Sequence, residues 1–135
     1  MKFKVSKVER LICLCVRHCD FLEKKTIKDL YIELGDDLVF KSAQLNGVVS
    51  IVAHALSICI EKDKIPDHWS KEYKLIENKI ISYMDELNKA ADILANQNIP
   101  LLALKNSGIT LGMYPYLGSC PMGDVDVLVK KSQFR

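Results

Sequence analysis

The pattern of apolar residues changes once along this chain, at Pro100. Before Pro100, apolar side chains recur every three or four residues over long stretches, as one face of an α-helix requires. After it, short apolar runs alternate with segments that contain glycine and proline, a pattern typical of strands and loops. The sequence therefore predicts an α+β protein in which a helical N-terminal region precedes a smaller part that contains strands.

The helical region is predicted to contain several helices separated by short breaks. The predicted stretches are 5–19, 26–35, 36–46, 48–60 and a long helix whose apolar face extends from 73 to 94. Thr26 and Asp29 resemble a capping box that would begin the second helix. The fourth is apolar on nearly every side, which predicts a central, buried helix. The polar segment 61–68 is the predicted joint, so the predicted domains are residues 1–67 and 68–135.

Composition and charge indicate a globular protein and argue against two classes of partner. Apolar residues make up 49% of the chain and charged residues 27%, as in ordinary globular domains. The net charge of +2 is scattered, so the chain lacks the clustered basic face of a nucleic-acid-binding protein. No apolar run approaches the roughly 18 residues of a membrane span, and no signal cleavage site is present. We therefore expect a cytoplasmic protein with no membrane partner and with reduced cysteines.

The segment after Pro100 is predicted to form a strand–helix–strand unit. The apolar run 101–104 predicts a buried strand. Ser107 and Gly108 are placed to begin a brief helix. After a loop that contains glycine and proline, the alternating residues of 124–129 predict a second strand with one acidic and one apolar face.

Asp124 and Asp126 are the residues of this unit most suited to chemistry. Residues two apart on a strand point to the same face, so the two carboxylates would lie side by side. Two like charges at that distance disfavour each other unless a cation neutralises them. Mg²⁺ takes oxygen ligands from one or two carboxylates together with substrate phosphates. The neighbouring valines would anchor the strand in the core. The alternative interpretation is a pair of ordinary exposed acids.

Three stretches carry a resemblance to a known family: Leu101–Asn106, the pair Tyr114-Pro115, and Pro121–Val129. Their order and spacing are similar to those of a bacterial family of uncharacterised nucleotidyltransferases within the DNA polymerase beta-like superfamily. The family pattern is an apolar strand ending in Lys-Gly, a helix, a loop with Arg-Pro-Met-Gly, and Asp-x-Asp followed by aliphatic residues. The motif match covers roughly the last 35 residues. It implies that the strand–helix–strand unit is the beginning of a polymerase beta-like core.

The resemblance also implies an activity and a set of site residues. The expected reaction transfers a nucleoside monophosphate from a nucleoside triphosphate, with ATP as the expected donor, to an unknown acceptor. Asp124 and Asp126 would be catalytic residues that hold two Mg²⁺ (or Mn²⁺) ions. Lys105 would lie near the phosphates, and Ser107 and Gly108 would offer backbone N–H groups at a helix N-terminus. The alternatives are a solvent-exposed lysine and a plain helix cap.

Two departures from the family pattern and the lack of a third acid weaken a purely catalytic interpretation. Asn106 follows the lysine where the family has glycine, and Cys120 replaces the arginine of the loop. No acid follows Asp126, although the superfamily uses a third carboxylate on a later strand. The expectation is therefore a fragment of a longer enzyme, inactive by itself. The alternative is a non-catalytic interaction or regulatory module, which would self-associate through an exposed strand edge.

Overall fold

The computed structural model describes residues 5–17, 21–113 and 116–133. It is mostly helical with a small antiparallel sheet, which confirms the α+β prediction. The helices are α1 (Lys7–Val16), α2 (Phe21–Leu34), α3 (Asp36–Leu45), α4 (Val49–Cys59), α5 (Asp67–Ala95) and α6 (Lys105–Met113). The strands are β1 (Leu102–Ala103) and β2 (Val127–Leu128), and short 3₁₀ turns cover Lys62–Lys64, Leu117–Ser119 and Lys131–Gln133.

The contacts of the chain divide it into two compact units, Met1–Leu75 and Ile76–Arg135. The division lies within α5, whereas the boundary predicted at 67/68 lies where α5 begins. We refer to these parts as the helical unit and the strand unit. Cys19, at the end of the first predicted helix, and Tyr114 and Pro115, after α6, lie outside the described residues.

A capping box begins α1, at a place that the sequence analysis did not single out. The Ser6 hydroxyl accepts a hydrogen bond from the Glu9 amide, and the Glu9 carboxylate accepts one from the Ser6 amide at 2.7 Å. The Ser6 hydroxyl also donates to the Glu9 carboxylate at 2.7 Å, and this hydrogen bond together with the one from the Ser6 amide lowers the pKa of Glu9. The capping box predicted at Thr26 is wrong, because α2 begins at Phe21 and Thr26 lies inside it. Amides in a helix interior already have intrahelical partners, which leaves none for a side-chain cap.

The stops predicted after α2 and α3 are confirmed. Gly35 and Gly47 adopt φ angles of 79° and 66°, a region that favours glycine. The predicted burial of the fourth helix is also confirmed, since Val52 and Leu56 of α4 are fully buried against α1, α2 and α3. The core of the helical unit is therefore organised around α4.

The first turn of α5 is fastened to the start of α3 through Asp36. Tyr31 and the indole Nε1 of Trp69 donate hydrogen bonds to Asp36 Oδ1, at 2.5 and 2.6 Å. Trp69 is 1% exposed and packs edge-on against Phe40, with ring centroids 4.9 Å apart. Burial, together with the hydrogen bond to Asp36, raises the pKa of Tyr31.

The strand unit has a much smaller buried cluster, formed by Ile80, Met84 and Met122. Strands β1 and β2 pair in antiparallel register, with Leu102 opposite Leu128 and Ala103 opposite Val127. Among the residues that the structure describes, no helix is long and apolar enough to cross a membrane.

The predictions that β1 is buried and that the valines anchor the second strand in the core are wrong. Leu102, Val127 and Leu128 are 58%, 44% and 55% exposed. Strand β2 spans two residues, and both acids precede it. A short apolar run predicts an extended segment equally well whether or not another layer covers it, so the pattern alone did not settle burial.

Candidate active site around Lys105 and Asp126

The register of the small sheet brings the end of β1 beside the residues that precede β2. The Leu104 amide donates to the Asp126 carbonyl oxygen at 2.9 Å, which continues the β1–β2 pairing by one residue. Lys105, the next residue, begins α6. Antiparallel pairing therefore places Lys105 next to Asp126 although the two are far apart in the sequence.

Lys105 and Asp126 form an ion pair. The Lys105 Nζ atom lies 2.9 Å from Asp126 Oδ2, and their side chains are 75% and 37% exposed. The hydrogen bond with Asp126 and its charge raise the pKa of Lys105, and the charge of Asp124 adds to this effect. Lys105 is consequently a permanent cation at neutral pH. The sequence and the resemblance predict that all three residues belong to one site, but neither predicts this ion pair.

The backbone of Lys105 has an unusual conformation. Its φ angle is 48°, in the left-handed region that residues with a side chain seldom adopt. Such a conformation costs about 1–2 kcal/mol. Where the family pattern has glycine after the lysine, this chain has Asn106, and the positive φ occurs at the lysine itself. The strain lies at the residue that contacts Asp126, and strained residues of this kind cluster at functional sites.

Ser107 connects α6 to both strands. Its side chain is buried, and its Oγ lies within hydrogen-bond distance of the Leu104 carbonyl and 2.9 Å from the Asp126 carbonyl. The hydroxyl therefore acts as a donor to backbone carbonyls. The alternative interpretation of Ser107 as the helix cap is wrong, because α6 begins at Lys105. Ser107 instead fixes the backbone from which the Asp126 carboxylate projects.

Gly108 allows α6 to lie directly on the backbone of β1. A Cβ atom at this position would be 2.5 Å from the Ala103 carbonyl oxygen. The Gly108 amide donates to the Leu104 carbonyl at 3.3 Å, so in this conformation it is used within the fold. Amides at a helix start have no intrahelical acceptor, so those of Asn106 and Ser107 are better placed to meet an anion.

The loop before the two acids is held by α5 and α6. The Tyr83 hydroxyl donates to the Gly123 carbonyl at 2.8 Å, directly before Asp124. Met122 is buried, and its sulfur lies 3.7 Å from Thr110 Oγ1. The role of Tyr83 was not predicted from the sequence. The long helix was predicted from its apolar face alone, and the only signal at Tyr83 is a side chain that can form a hydrogen bond. Cys120, where the family has arginine, is also buried and supplies no cation.

The donor set of this site consists of two carboxylates. Asp124 is exposed and Asp126 is half-buried. In the part of the chain that the structure describes, no group of three or more His, Cys, Asp or Glu side chains is arranged to hold a metal. Two carboxylate groups fit Mg²⁺, which is commonly held by one or two carboxylates and completes its coordination with water and substrate phosphates.

A family model described as an uncharacterised nucleotidyltransferase matches residues 33–135. The match begins at the end of α2 and includes α3 to α6 and both strands. It therefore extends well beyond the motif region from which the resemblance was first drawn. Neither the comparison with curated proteins nor that with solved structures found a match.

Proposed function

Because the chain belongs to this uncharacterised nucleotidyltransferase family, we propose that it transfers a nucleoside monophosphate from a nucleoside triphosphate, ATP, to an acceptor. Family membership supports nucleotidyl transfer in general. The observation that carries the location of the site is the Lys105–Asp126 ion pair, with the charge of Asp124 close enough to act on Lys105. The assignment of the strand unit to a polymerase beta-like core is part of the same proposal.

Asp124 and Asp126 are the proposed metal ligands. Asp124 and Asp126 would hold Mg²⁺ or Mn²⁺, which would supply positive charge to offset the negative charge of the triphosphate and to favour deprotonation of an attacking hydroxyl. Asp126 projects from backbone that the Leu104 amide and the Ser107 hydroxyl hold in place. Asp124 follows the carbonyl that Tyr83 anchors. These hydrogen bonds hold the backbone from which both carboxylates project.

Lys105 is the proposed phosphate contact of the protein itself. Two carboxylates and one ammonium leave the site with a local charge of about −1, which favours cations and repels a bare triphosphate. The complex of a divalent cation with the nucleotide therefore fits the site better than the free nucleotide. With a cation on Asp126, the Lys105 ammonium is available for a phosphate oxygen, next to the first amides of α6.

The proposal is tested by replacing each acid with its amide. Asp124→Asn and Asp126→Asn keep the side-chain size and remove the charge, while Asp92→Asn removes an exposed charge from α5 and serves as the control. The readouts are the thermal shift caused by Mg²⁺ with a non-cleavable ATP analogue and label transfer from α-phosphate-labelled ATP in a host-cell extract. In the protein as its native host produces it, we expect the thermal shift and label transfer with the parent sequence and with the control, and neither with the two site variants. Transfer retained by both site variants would overturn the assignment.

A second candidate is the non-catalytic interaction or regulatory module. It is supported by the exposed apolar side chains of the sheet, Leu102, Val127 and Leu128. An uncovered sheet with free edges invites pairing with another chain. A module of this kind would show no change in melting temperature with Mg²⁺ and ATP, and its sedimentation coefficient would rise with concentration. The substitution Leu128→Lys would then keep the protein monomeric.

A further inference from the structure

The helical unit contains a cavity of about 260 Å³ between the end of α4, the turn at Lys62–Lys64 and the first turns of α5. All of its lining residues belong to this unit. The site proposed above lies in the strand unit. Ligand binding in the cavity can therefore be tested separately from the proposed nucleotidyl transfer.

The size of the cavity suits a small organic molecule. It is near the lower end of the range of ligand pockets, about 300–1,000 Å³. An apolar cavity of about 150 Å³ is sufficient to bind benzene, so this cavity has room for one aromatic ring and a substituent. The apolar part of its wall is formed by Ala53, Ile65, Pro66, Trp69 and Tyr73.

Two of the wall side chains are rings that lie against each other. The rings of His54 and Tyr73 are stacked, with centroids 6.1 Å apart and planes inclined by 26°. Burial lowers the pKa of His54, which favours the uncharged form of its ring. Flat, uncharged surfaces of this kind favour contact with another aromatic ring.

The polar part of the lining is positively charged. Lys62 and Lys74 both line the cavity, and neither ammonium forms an ion pair with any described residue. Asp67 is the acid among the lining residues. Two lysines against one aspartate give the lining a net positive charge, which complements an anion.

We infer that this cavity binds a small aromatic carboxylate. The ring lies against the wall near Ile65 and Tyr73, and the carboxylate faces Lys62 and Lys74. The apolar wall explains the preference for a ring, and the two unpaired ammonium groups explain the preference for an anion. A neutral ring or an anion without a ring satisfies only half of the site.

The first test uses the unmodified protein and three probes at constant ionic strength. Benzoate combines ring and charge, benzamide keeps the ring without the charge, and acetate keeps the charge without the ring. Isothermal titration calorimetry is expected to give a Kd for benzoate at least about tenfold lower than for either control, a difference of about 1.4 kcal/mol. Absence of benzoate binding, or equal affinity for benzamide, overturns the inference.

The second test locates the ligand. Lys62→Gln and Lys74→Gln remove one charge each, whereas Lys71→Gln removes an exposed charge from the same stretch of α5 outside the cavity lining. Each cavity variant is expected to weaken benzoate binding about two- to fivefold, as for a solvent-accessible charge pair. The double variant should weaken it about tenfold, and Lys71→Gln should leave it unchanged. An equal loss in Lys71→Gln, or benzoate-induced amide shifts confined to the strand unit, contradicts the assignment.

Discussion

The helical unit and the strand unit differ in how they hold their side chains. In the helical unit, a continuous core joins α1 to α4 with the start of α5, and Leu11, Ile27, Val39 and Leu56 are fully buried. In the strand unit, buried hydrophobic residues are few, and both strands expose apolar side chains. Its candidate active site is arranged mainly by hydrogen bonds and one close backbone contact. Packing therefore dominates one unit and local polar geometry the other.

The contrast indicates that the packed core lies in one unit and the candidate active site in the other. Regions with few buried apolar contacts open more easily, and binding sites are commonly found in such regions. Matched substitutions in the two units are therefore expected to differ in their effects on stability and on pKa.

The largest difference in the free energy of unfolding is expected between substitutions of two leucines. Leu56 is fully buried in α4, and Leu128 is 55% exposed in β2. Leu56→Ala should lower the free energy of unfolding by about 2–5 kcal/mol, because it leaves a cavity in a packed core. Leu128→Ala should change it by less than about 1 kcal/mol. Urea denaturation of both variants measures this. Similar losses would mean that the strand unit is packed as tightly as the helical unit.

The next comparison lies within α6. Gly108→Ala places a methyl group 2.5 Å from the Ala103 carbonyl oxygen, whereas nothing lies within 4 Å of the corresponding position at Gly112. We expect Gly108→Ala to destabilise the protein by about 1–3 kcal/mol through overpacking. Gly112→Ala should stabilise it by up to about 1 kcal/mol through helix propensity. Thermal melts distinguish the two. If both variants were stabilised, α6 would not lie directly on β1.

Features of the fold that depend on local sequence pattern could be predicted, whereas features that depend on tertiary contacts could not. The breaks at Gly35 and Gly47 and the burial of α4 follow from local pattern and were predicted correctly. The start of α2 was missed because Thr26 has the residue type of a cap and the position of a helix interior. The strand unit was less predictable, since burial of Leu102 depends on what covers it.

For the candidate site, sequence and resemblance supplied the residues without their contacts. The pairing of Lys105 with Asp126 depends on the antiparallel register, which a motif does not specify. The interpretation of Ser107 as a helix cap failed for the same reason. The acceptors of its hydroxyl are the Leu104 and Asp126 carbonyls, which only the folded chain brings together.

A smaller effect concerns ion pairs in the two units. In the helical unit, hydrogen bonds from Lys28 lower the pKa of Glu61 to about 2. Because the folded pKa is below the unfolded value of about 4.3, the stability from this pair is present above pH 4.3. It is lost as the pH falls towards 2. Lys28→Gln should return the pKa of Glu61 towards 4.3, as a carboxyl NMR titration would show. A value still near 2 would exclude Lys28 as the cause.

The corresponding ion pair in the strand unit raises a pKa, whereas the pair in the helical unit lowers one. Asp126 raises the pKa of Lys105, so Asp126→Asn should lower it towards its ordinary value of about 10.4. The backbone carbonyl that Ser107 contacts is retained, and the melting temperature should change little. A ¹⁵N titration of the lysine side chains measures the pKa. An unchanged pKa of Lys105 would mean that the ion pair does not form in solution.

In the proposed active site, Asp124 and Asp126 together hold a divalent cation with a nucleotide. The most direct measurement is paramagnetic broadening of amide signals on titration with Mn²⁺ in the presence of a non-cleavable ATP analogue. We expect broadening centred on Asp124, Asp126 and the start of α6, and its loss in the Asp124→Asn/Asp126→Asn double variant. Broadening centred elsewhere, or unchanged in that variant, would contradict it.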